Sequence, residues 1–600
     1  MHLQRPPRRP SLYFSFFLTD MKLNFPKRHM LASATALVIG TFSLTGCGGN
    51  NDATAASAPI AASAASANDA ALQFDSSKFT TLNITVDGVA TKVRQYRIVY
   101  VANPKKSGSS LTTFNTTAVT DPYAFQTMIV TVPEDLASDQ KTALYFLVNN
   151  TGWFASPVST TITEGKTFVS TNDSDNIGAA LKAGYVVVNV GTRSRGAKAE
   201  DGSWMGKAPA PVIDAKAAIR YLRLNDSTMP GSAERIIVTG TSGGGGLTAA
   251  VSASGNSADF LHYLAEIGAA GVQGTGTNAT STLKDDVFAA VAYCPINNLG
   301  NADTGYEWEY NAVRTDANTG ALNGVAYTAG PQVSASAALA AAFPAYVNSL
   351  GLRLENGQAL TDSSLKSATQ AFVKAELERQ IAKGTALPAL GENFVLSVSG
   401  APGSPASTKT IANDWLTLNG SGTSATVANI NYTQFLKFVT TRQALKTVVA
   451  FDAVGVTGNP NISGETNLFG SSTNPYANFT EWTWTNNSVK GDASGTDDTN
   501  QTWSQYLANP NNNLAAQIKL INPLAYLNTA ADSAPYWYVR HGMVDRDTAF
   551  AMQTLLYYAI KNDASVKDVS FKLPYMVGHS GNYDVQEAFA WIKAKLSTAP

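Results

Sequence analysis

Cysteine is nearly missing from this chain. Among 600 residues only Cys47 and Cys294 occur, so no disulfide framework can be what holds it together. Histidine is scarce too: the five copies (His2, His29, His262, His541 and His579) are too scattered for a zinc site, and no H-E-x-x-H motif is present. Charge is thin, at 14% of residues, and nearly cancels to a formal net charge of −1. Such a balance offers no electrostatic footprint for nucleic acid and no polybasic membrane patch in the mature part. Long apolar runs are lacking as well, since Leu31 to Leu44 (LASATALVIGTFSL) falls short of the roughly 18 residues that spanning needs. What remains is ordinary globular material, 44% hydrophobic and 10% aromatic, and long enough for one large core with additions.

That short apolar run has a different meaning. Lys22, Lys27 and Arg28 precede it, and it ends in Leu44-Thr45-Gly46-Cys47, which resembles a bacterial lipobox. Small residues before the cysteine suit a signal peptidase, and the thiol would accept a diacylglycerol. Residues 1–46 are therefore expected to be a lipoprotein signal peptide, with Met21 a more natural start than Met1. Cys47 is the expected lipidation site and the protein's one link to a membrane. The chain is expected to be an exported lipoprotein of the cell envelope; Gly48 after the cysteine points to the outer membrane or cell surface if the cell is Gram-negative. Cys294 then has no partner, and its place at a strand end suggests a buried small residue.

Residues 47–76, rich in Ala and Ser, read as a flexible tether. Alternating runs on either side of Asp87-Gly88 predict an antiparallel hairpin over Leu82–Val101. Strand–helix alternation follows, the pattern of a parallel sheet covered by helices: strands at Ala143–Val148, Tyr185–Val190, Arg235–Thr239 and Val287–Tyr293, a helix over Pro211–Leu224 and another from Gly244. The alternation breaks near Pro295. Ala-rich helical stretches mixed with polar loops such as GNPNISGETN then run to Leu520 and read as a lid inserted between two sheet strands. The sheet resumes at Tyr536–Val539, followed by a helix over Thr548–Lys561, a strand Val569–Leu573 and a last helix over Tyr583–Leu596. The expected division is 77–296 for the first part of the core, 297–520 for the lid and 521–600 for the second part.

The chemistry lies at strand ends. Gly240-Thr241-Ser242-Gly243-Gly244 matches G-x-S-x-G, directly after a strand and before a small-residue helix. That context holds a serine Oγ out at the carboxyl edge of a sheet, and the glycines avoid collisions that larger side chains would cause. Read instead as a phosphate-binding turn, it lacks the Gly-Lys-Ser/Thr and Rossmann spacings. The fold class this implies is α/β, an α/β-hydrolase with a large inserted lid. His579, in the loop after the last strand, is where such a fold places its base, giving the chain order Ser…Asp…His. Asp545 and Asp547 both follow the penultimate strand. Position favours Asp545 as the acid and Asp547 as the N-cap of the next helix, but does not exclude the reverse. The oxyanion hole is expected from the N–H of Gly243 with Thr151 or Gly152 of Asn149-Asn150-Thr151-Gly152-Trp153. No cofactor is implied.

Four segments, GTSGGG, AYCPINNLGNAD, RHGMVDRDT and GHSGNYD, make the chain resemble the bacterial tannases, the tannin acyl hydrolases that cleave gallate esters. The resemblance runs from about Leu144 to Ile592. It implies Asp545 as the triad acid and Asp547 as a galloyl-binding residue. It also implies substrate-binding roles for Lys446, ahead of Ala450-Phe451-Asp452, and Glu465, ahead of Asn467-Leu468-Phe469-Gly470. Phenolic hydroxyls donate to carboxylates and an ammonium donates to a phenol oxygen, so the three suit a galloyl ring. Bare lid charges would be the plainer reading of Lys446 and Glu465. GVTGNPNIS, between them, reads as a short insertion that bears on how large a substrate enters. The expected partner is a small phenolic ester. The alternatives are a feruloyl-type or other aromatic ester hydrolase on the same triad, and an inactive binding protein on this scaffold. The sequence does not give the oligomeric state or the alcohol part of the ester.

Overall fold

A computed structural model describes residues 67–108, 119–316, 332–398, 407–453, 464–487, 489, 493–510 and 512–598. The leader, Cys47 and most of the tether lie outside these residues, as does the whole GVTGNPNIS segment. The end of the tether does not. Ala67–Ala71 forms a short helix, Leu72 is buried, and the Asn225 side chain is bonded to both Leu72 and Phe74. The folded part thus begins about ten residues earlier than the composition suggests.

Ten strands form one sheet: β1 (Thr80–Val86), β2 (Val89–Val99), β3 (Thr127–Pro133), β4 (Leu144–Val148), β5 (Thr167–Phe168), β6 (Val186–Val190), β7 (Ile236–Thr241), β8 (Ala289–Tyr293), β9 (Tyr536–Arg540) and β10 (Asp568–Lys572). Their spatial order is β10-β9-β8-β7-β4-β6-β3-β2-β1-β5. From β10 to β6 every pairing is parallel, and β6-β3, β3-β2 and β2-β1 are antiparallel. The hairpin, the parallel strands and the helices after them fall where the sequence pattern puts them. The strand β3 was not foreseen.

Helices cover both faces: α1 (Asn176–Lys182), α2 (Ala210–Leu224), α3 (Gly243–Ala253), α4 (Leu299–Tyr310), α5 (Gln332–Ser349), α6 (Asp362–Ala382), α7 (Tyr432–Arg442), α8 (Phe550–Asn562) and α9 (Val585–Thr598). Side chains alternate across each strand. Leu144, Phe146 and Val148 of β4 join the larger core with α2 and α3, while Tyr145 and Leu147 join a smaller core with α1 and α9. The larger core continues without a break into the insertion through Phe343, Leu365, Leu377, Trp415 and Phe435. The insertion therefore packs as an extension of the sheet's own core. It also contains two hairpins that the helical reading missed, Asn393–Val398 with Ser407–Ala412 and Leu416–Asn419 with Thr426–Ile430.

A buried charge cluster fixes the elements beneath the future site. Asp285, on the loop entering β8, accepts from Lys216 Nζ and Arg220 Nε, each at 2.8 Å, and all three side chains are almost fully buried. Lys216 also donates to the Ser254 carbonyl at 2.7 Å, at the C-terminus of α3, where a cation is favoured by the helix dipole. Removing one partner of such a cluster strands uncompensated charge. Asp285→Ala is expected to lower unfolding free energy by about 3–5 kcal/mol, measured by urea denaturation. A loss under about 1 kcal/mol would show the cluster to be dispensable.

Candidate active site

Ser242 sits between β7 and α3 with φ 62° and ψ −122°, a conformation that L-residues rarely adopt and that costs on the order of 1–3 kcal/mol. Surrounding backbone holds it there. Its N–H donates to the Tyr293 carbonyl at 2.9 Å, and its carbonyl accepts from Gly246 at 2.9 Å and Ile296 at 3.0 Å. Gly243 is needed for close approach, because a Cβ there would lie 2.1 Å from the Trp153 backbone nitrogen. On the other side, a Cβ at Gly581 would lie 2.0 Å from Thr241 Oγ1. The turn after β4 thus presses against the elbow's main chain, and the loop after β10 against the side chain of Thr241.

Those contacts bring three side chains into line. His579 Nε2 lies 2.8 Å from Ser242 Oγ, and its Nδ1 lies 2.8 Å from Asp545 Oδ2. Asp545 is wholly buried, and its other oxygen accepts the Asp547 N–H at 2.8 Å. Burial opposes the Asp545 charge, but the imidazoles of His579 and His541 outweigh it and hold the carboxyl well below the usual range. His579 is also penalised by burial, yet the Asp545 carboxylate raises its pKa well above the usual value.

Asp547 is not a helix cap. The helix α8 begins at Phe550 behind Ala549, with no side-chain cap. Asp547 instead pairs with Arg546 and places Oδ2 4.0 Å from His579 Nδ1. In the turn Thr151–Trp153, the Thr151 N–H is occupied by the Asn149 carbonyl at 2.9 Å, which removes it as an inward donor. The Trp153 N–H donates to Asn150 at 2.8 Å, and among the described residues the Gly152 N–H has no protein acceptor.

Lys446 and Glu465 meet at Phe451. Lys446 Nζ lies 4.3 Å from the centre of the Phe451 ring, and the Glu465 N–H donates to the Phe451 carbonyl at 2.9 Å. Glu465 is buried and Lys446 half-buried. The helix α4 anchors this segment. Asp303 accepts from the N–H groups of Ala450, Phe451 and Asp452 at 2.7–2.9 Å, and the Tyr306 hydroxyl accepts from Lys446 N at 3.2 Å. Burial pushes Asp303 up to about 7, and burial together with Asp303 pushes Asp452 up to about 8.

Three neighbours were not singled out from the sequence. His541, fully buried, sets Nδ1 3.3 Å from the Asp545 oxygen that also meets His579. Its place four residues before Asp545 was the available signal. Arg195, on the loop after β6, lies beside Gly152 and donates to the Gly464 carbonyl. Cys294 is the buried residue its strand-end position suggests, with Sγ donating to the Ser580 carbonyl at 3.1 Å. Its ligand atom and those of Asp545 and His579 lie within 4.8 Å of one another, the metal-like grouping found among the described residues. Burial raises the thiol's pKa, and the carboxylate and imidazole already bind each other, so the trio is poorly disposed to hold an ion. A separate cavity of about 560 Å³, lined by Trp204, Lys207, Tyr263, Tyr506 and Gln517 among others, contains none of the triad.

The BD-FAE family model matches residues 161–299, the stretch from before β6 through the elbow to β8. No curated protein matches the chain in sequence. Among solved structures, the tannin acyl hydrolase of Lactobacillus plantarum is 28% identical with a TM-score of 0.63, the match covering 88% of this chain and 99% of that one. The Fusobacterium nucleatum tannase gives the same identity, coverage and score. A tannin acyl hydrolase solved with ethyl gallate is 28% identical over 87% of this chain and 98% of its own, and one solved with 3,4-dihydroxybenzoate is 29% identical over the same shares. Fold and likeness together define an α/β-hydrolase-fold esterase. Within that class the solved structures it resembles are tannases.

Proposed function

We propose that this esterase hydrolyses gallate esters of the tannin type through an acyl-enzyme on Ser242, His579 and Asp545. The observation that carries this is the relay from Oγ through the imidazole to a buried carboxylate, 2.8 Å at each link. His579 Nε2 takes the serine proton as Oγ attacks the ester carbonyl carbon, and gives it to the departing alcohol. Water then attacks the acyl-enzyme by the same route, releasing the acid and restoring Oγ–H. Asp545 holds the ring and stabilises the imidazolium. The N–H groups of Gly243 and Gly152 are the donors for the developing oxyanion, an interaction typically worth about 2.7–4 kcal/mol.

Ring recognition falls to Lys446, Glu465 and Asp547. The neighbours' complexes with ethyl gallate and 3,4-dihydroxybenzoate support a hydroxylated ring as the acyl part. A site built to pair hydroxyls rejects rings lacking them, because its own polar groups would be left unpaired. This distinguishes the proposal from a feruloyl-type esterase, which has no need of three such partners.

Ser242→Ala should lower turnover of methyl gallate by a factor on the order of 10⁴ or more and abolish labelling by a fluorophosphonate. Lys446→Met, Glu465→Gln and Asp547→Asn should each lower kcat/KM for methyl gallate, relative to methyl benzoate, by roughly tenfold. Wild-type turnover of methyl ferulate faster than methyl gallate would refute the substrate reading and leave the triad standing. The base must be neutral to act, and Asp545 raises the pKa of His579. The acid limb of the kcat/KM profile should therefore be centred above about 6.5; a limb at or below that value would contradict the pairing. We also infer export and lipidation at Cys47 from the lipobox-like sequence. Labelled palmitate should enter the wild-type protein in a lipidating host and be lost in Cys47→Ala, whereas equal labelling of both would exclude this anchor.

A further inference from the structure

We propose that Arg195 is a positioning residue that couples the oxyanion turn to ring recognition by Glu465. The inference rests on the reading of Glu465 as a ring-binding residue. Arg195 is buried on the loop after β6, and its carbonyl accepts the Ala155 N–H at 2.9 Å, so its backbone is fixed to the segment just past the oxyanion turn. Its guanidinium carbon lies 3.9 Å from the centre of the Phe154 ring. One nitrogen, Nη2, stands 3.3 Å from where a Cβ at Gly152 would be, against the turn itself. The other, Nη1, donates to the Gly464 carbonyl, one residue before Glu465.

The charge is matched to that position. Burial lowers the pKa of Arg195, and the Glu465 carboxylate raises it in return. Glu465 is in turn bonded through its N–H to Phe451, whose ring faces Lys446. A planar fork stacked on Phe154 can hold the turn and the Gly464-Glu465 segment at once. A lysine, with one flexible point charge, cannot do both.

The experiment is steady-state kinetics of wild type, Arg195→Met, Arg195→Lys and Glu465→Gln, with the Arg195→Met/Glu465→Gln double variant, on methyl gallate and methyl benzoate. Loosening of the oxyanion turn should lower kcat on both esters alike. Loss of Glu465 positioning should raise KM for methyl gallate by about tenfold or more over any change with methyl benzoate, with Arg195→Lys intermediate. In the Glu465→Gln background, Arg195→Met should change the gallate-to-benzoate ratio by less than twofold, since the group it positions is gone. A folded Arg195→Met with unchanged ratio overturns the proposal, as does a full additional loss in the double variant. If Arg195→Met does not fold, an Arg195→Lys ratio equal to wild type overturns it. Wild type without gallate preference removes the ring-recognition reading and this proposal with it; a selective wild type whose Arg195 variants stay selective removes this proposal alone.

Discussion

Between β7 and α3 the main chain runs so close to its neighbours that only a particular set of residues can follow it. A Cβ at Gly243 would meet the backbone of Trp153, and one at Gly581 would meet Thr241. The turn after β4 and the elbow are therefore packed backbone against backbone, and the loop after β10 closes on the Thr241 side chain from the other side. This contact keeps Ser242 at its positive φ and sets Oγ on the imidazole. The strain at the serine persists because three parallel strands (β4, β7 and β8) and their loops over-determine the turn. The position of the reacting atoms is thus a property of the sheet, and the side chains of the triad inherit it.

Electrostatics follow from the same burial. Asp545 stays charged in a dry place because two imidazoles and a backbone N–H surround it. Neither ring nitrogen of His541 has a hydrogen-bond partner among the described residues, and Nδ1 lies 3.3 Å from that one carboxylate. Asp303 and Asp452 lie in the opposite regime. Burial pushes both toward neutrality, with the Glu307 charge adding to it at Asp303 and the Asp303 charge adding to it at Asp452, while hydrogen bonds compensate, and the result is an anchor for the Lys446 segment. The motif AYCPINNLGNAD thus has a concrete physical use: its last residue, Asp303, together with Tyr306 one turn on along α4, grips the loop that carries Lys446.

The positions of Ser242, Asp545 and His579 were legible because each follows a strand, the first two a strongly apolar one, and strand ends are where periodicity is easiest to read. Residues whose meaning depends on remote partners were less so. The strand β3 mixes Thr127 and Thr131 with apolar residues and closes on Pro133. Its threonines are buried on bonds to Tyr123 and Gln95 that no local pattern announces. The hairpins of the insertion are short and half-exposed, so they lack the continuous apolar signal of the central sheet. Asp547 looked like a cap because a helix follows it closely, but that helix starts at Phe550. Thr151 and Gly152 could not be told apart until the Asn149 carbonyl was seen to hold one of the two N–H groups. Arg195 carries no motif at all, and only the fold puts it beside residues nearly three hundred positions away.

Chemistry and recognition are therefore separated in the chain and joined in space. Ser242, Asp545 and His579 follow strands of the sheet; Lys446 and Glu465 come from the insertion. Were the insertion an independent body, these two charged residues would need their own means of registering on the sheet. It shares the sheet's larger core instead, and Phe451, itself part of that core, carries the contacts of both charges. Arg195 adds a polar link at the same junction, from the turn beside Ser242 to the carbonyl before Glu465. Substitutions in the insertion core should on this account act first on the placement of Lys446 and Glu465, while leaving the elbow's backbone contacts in place.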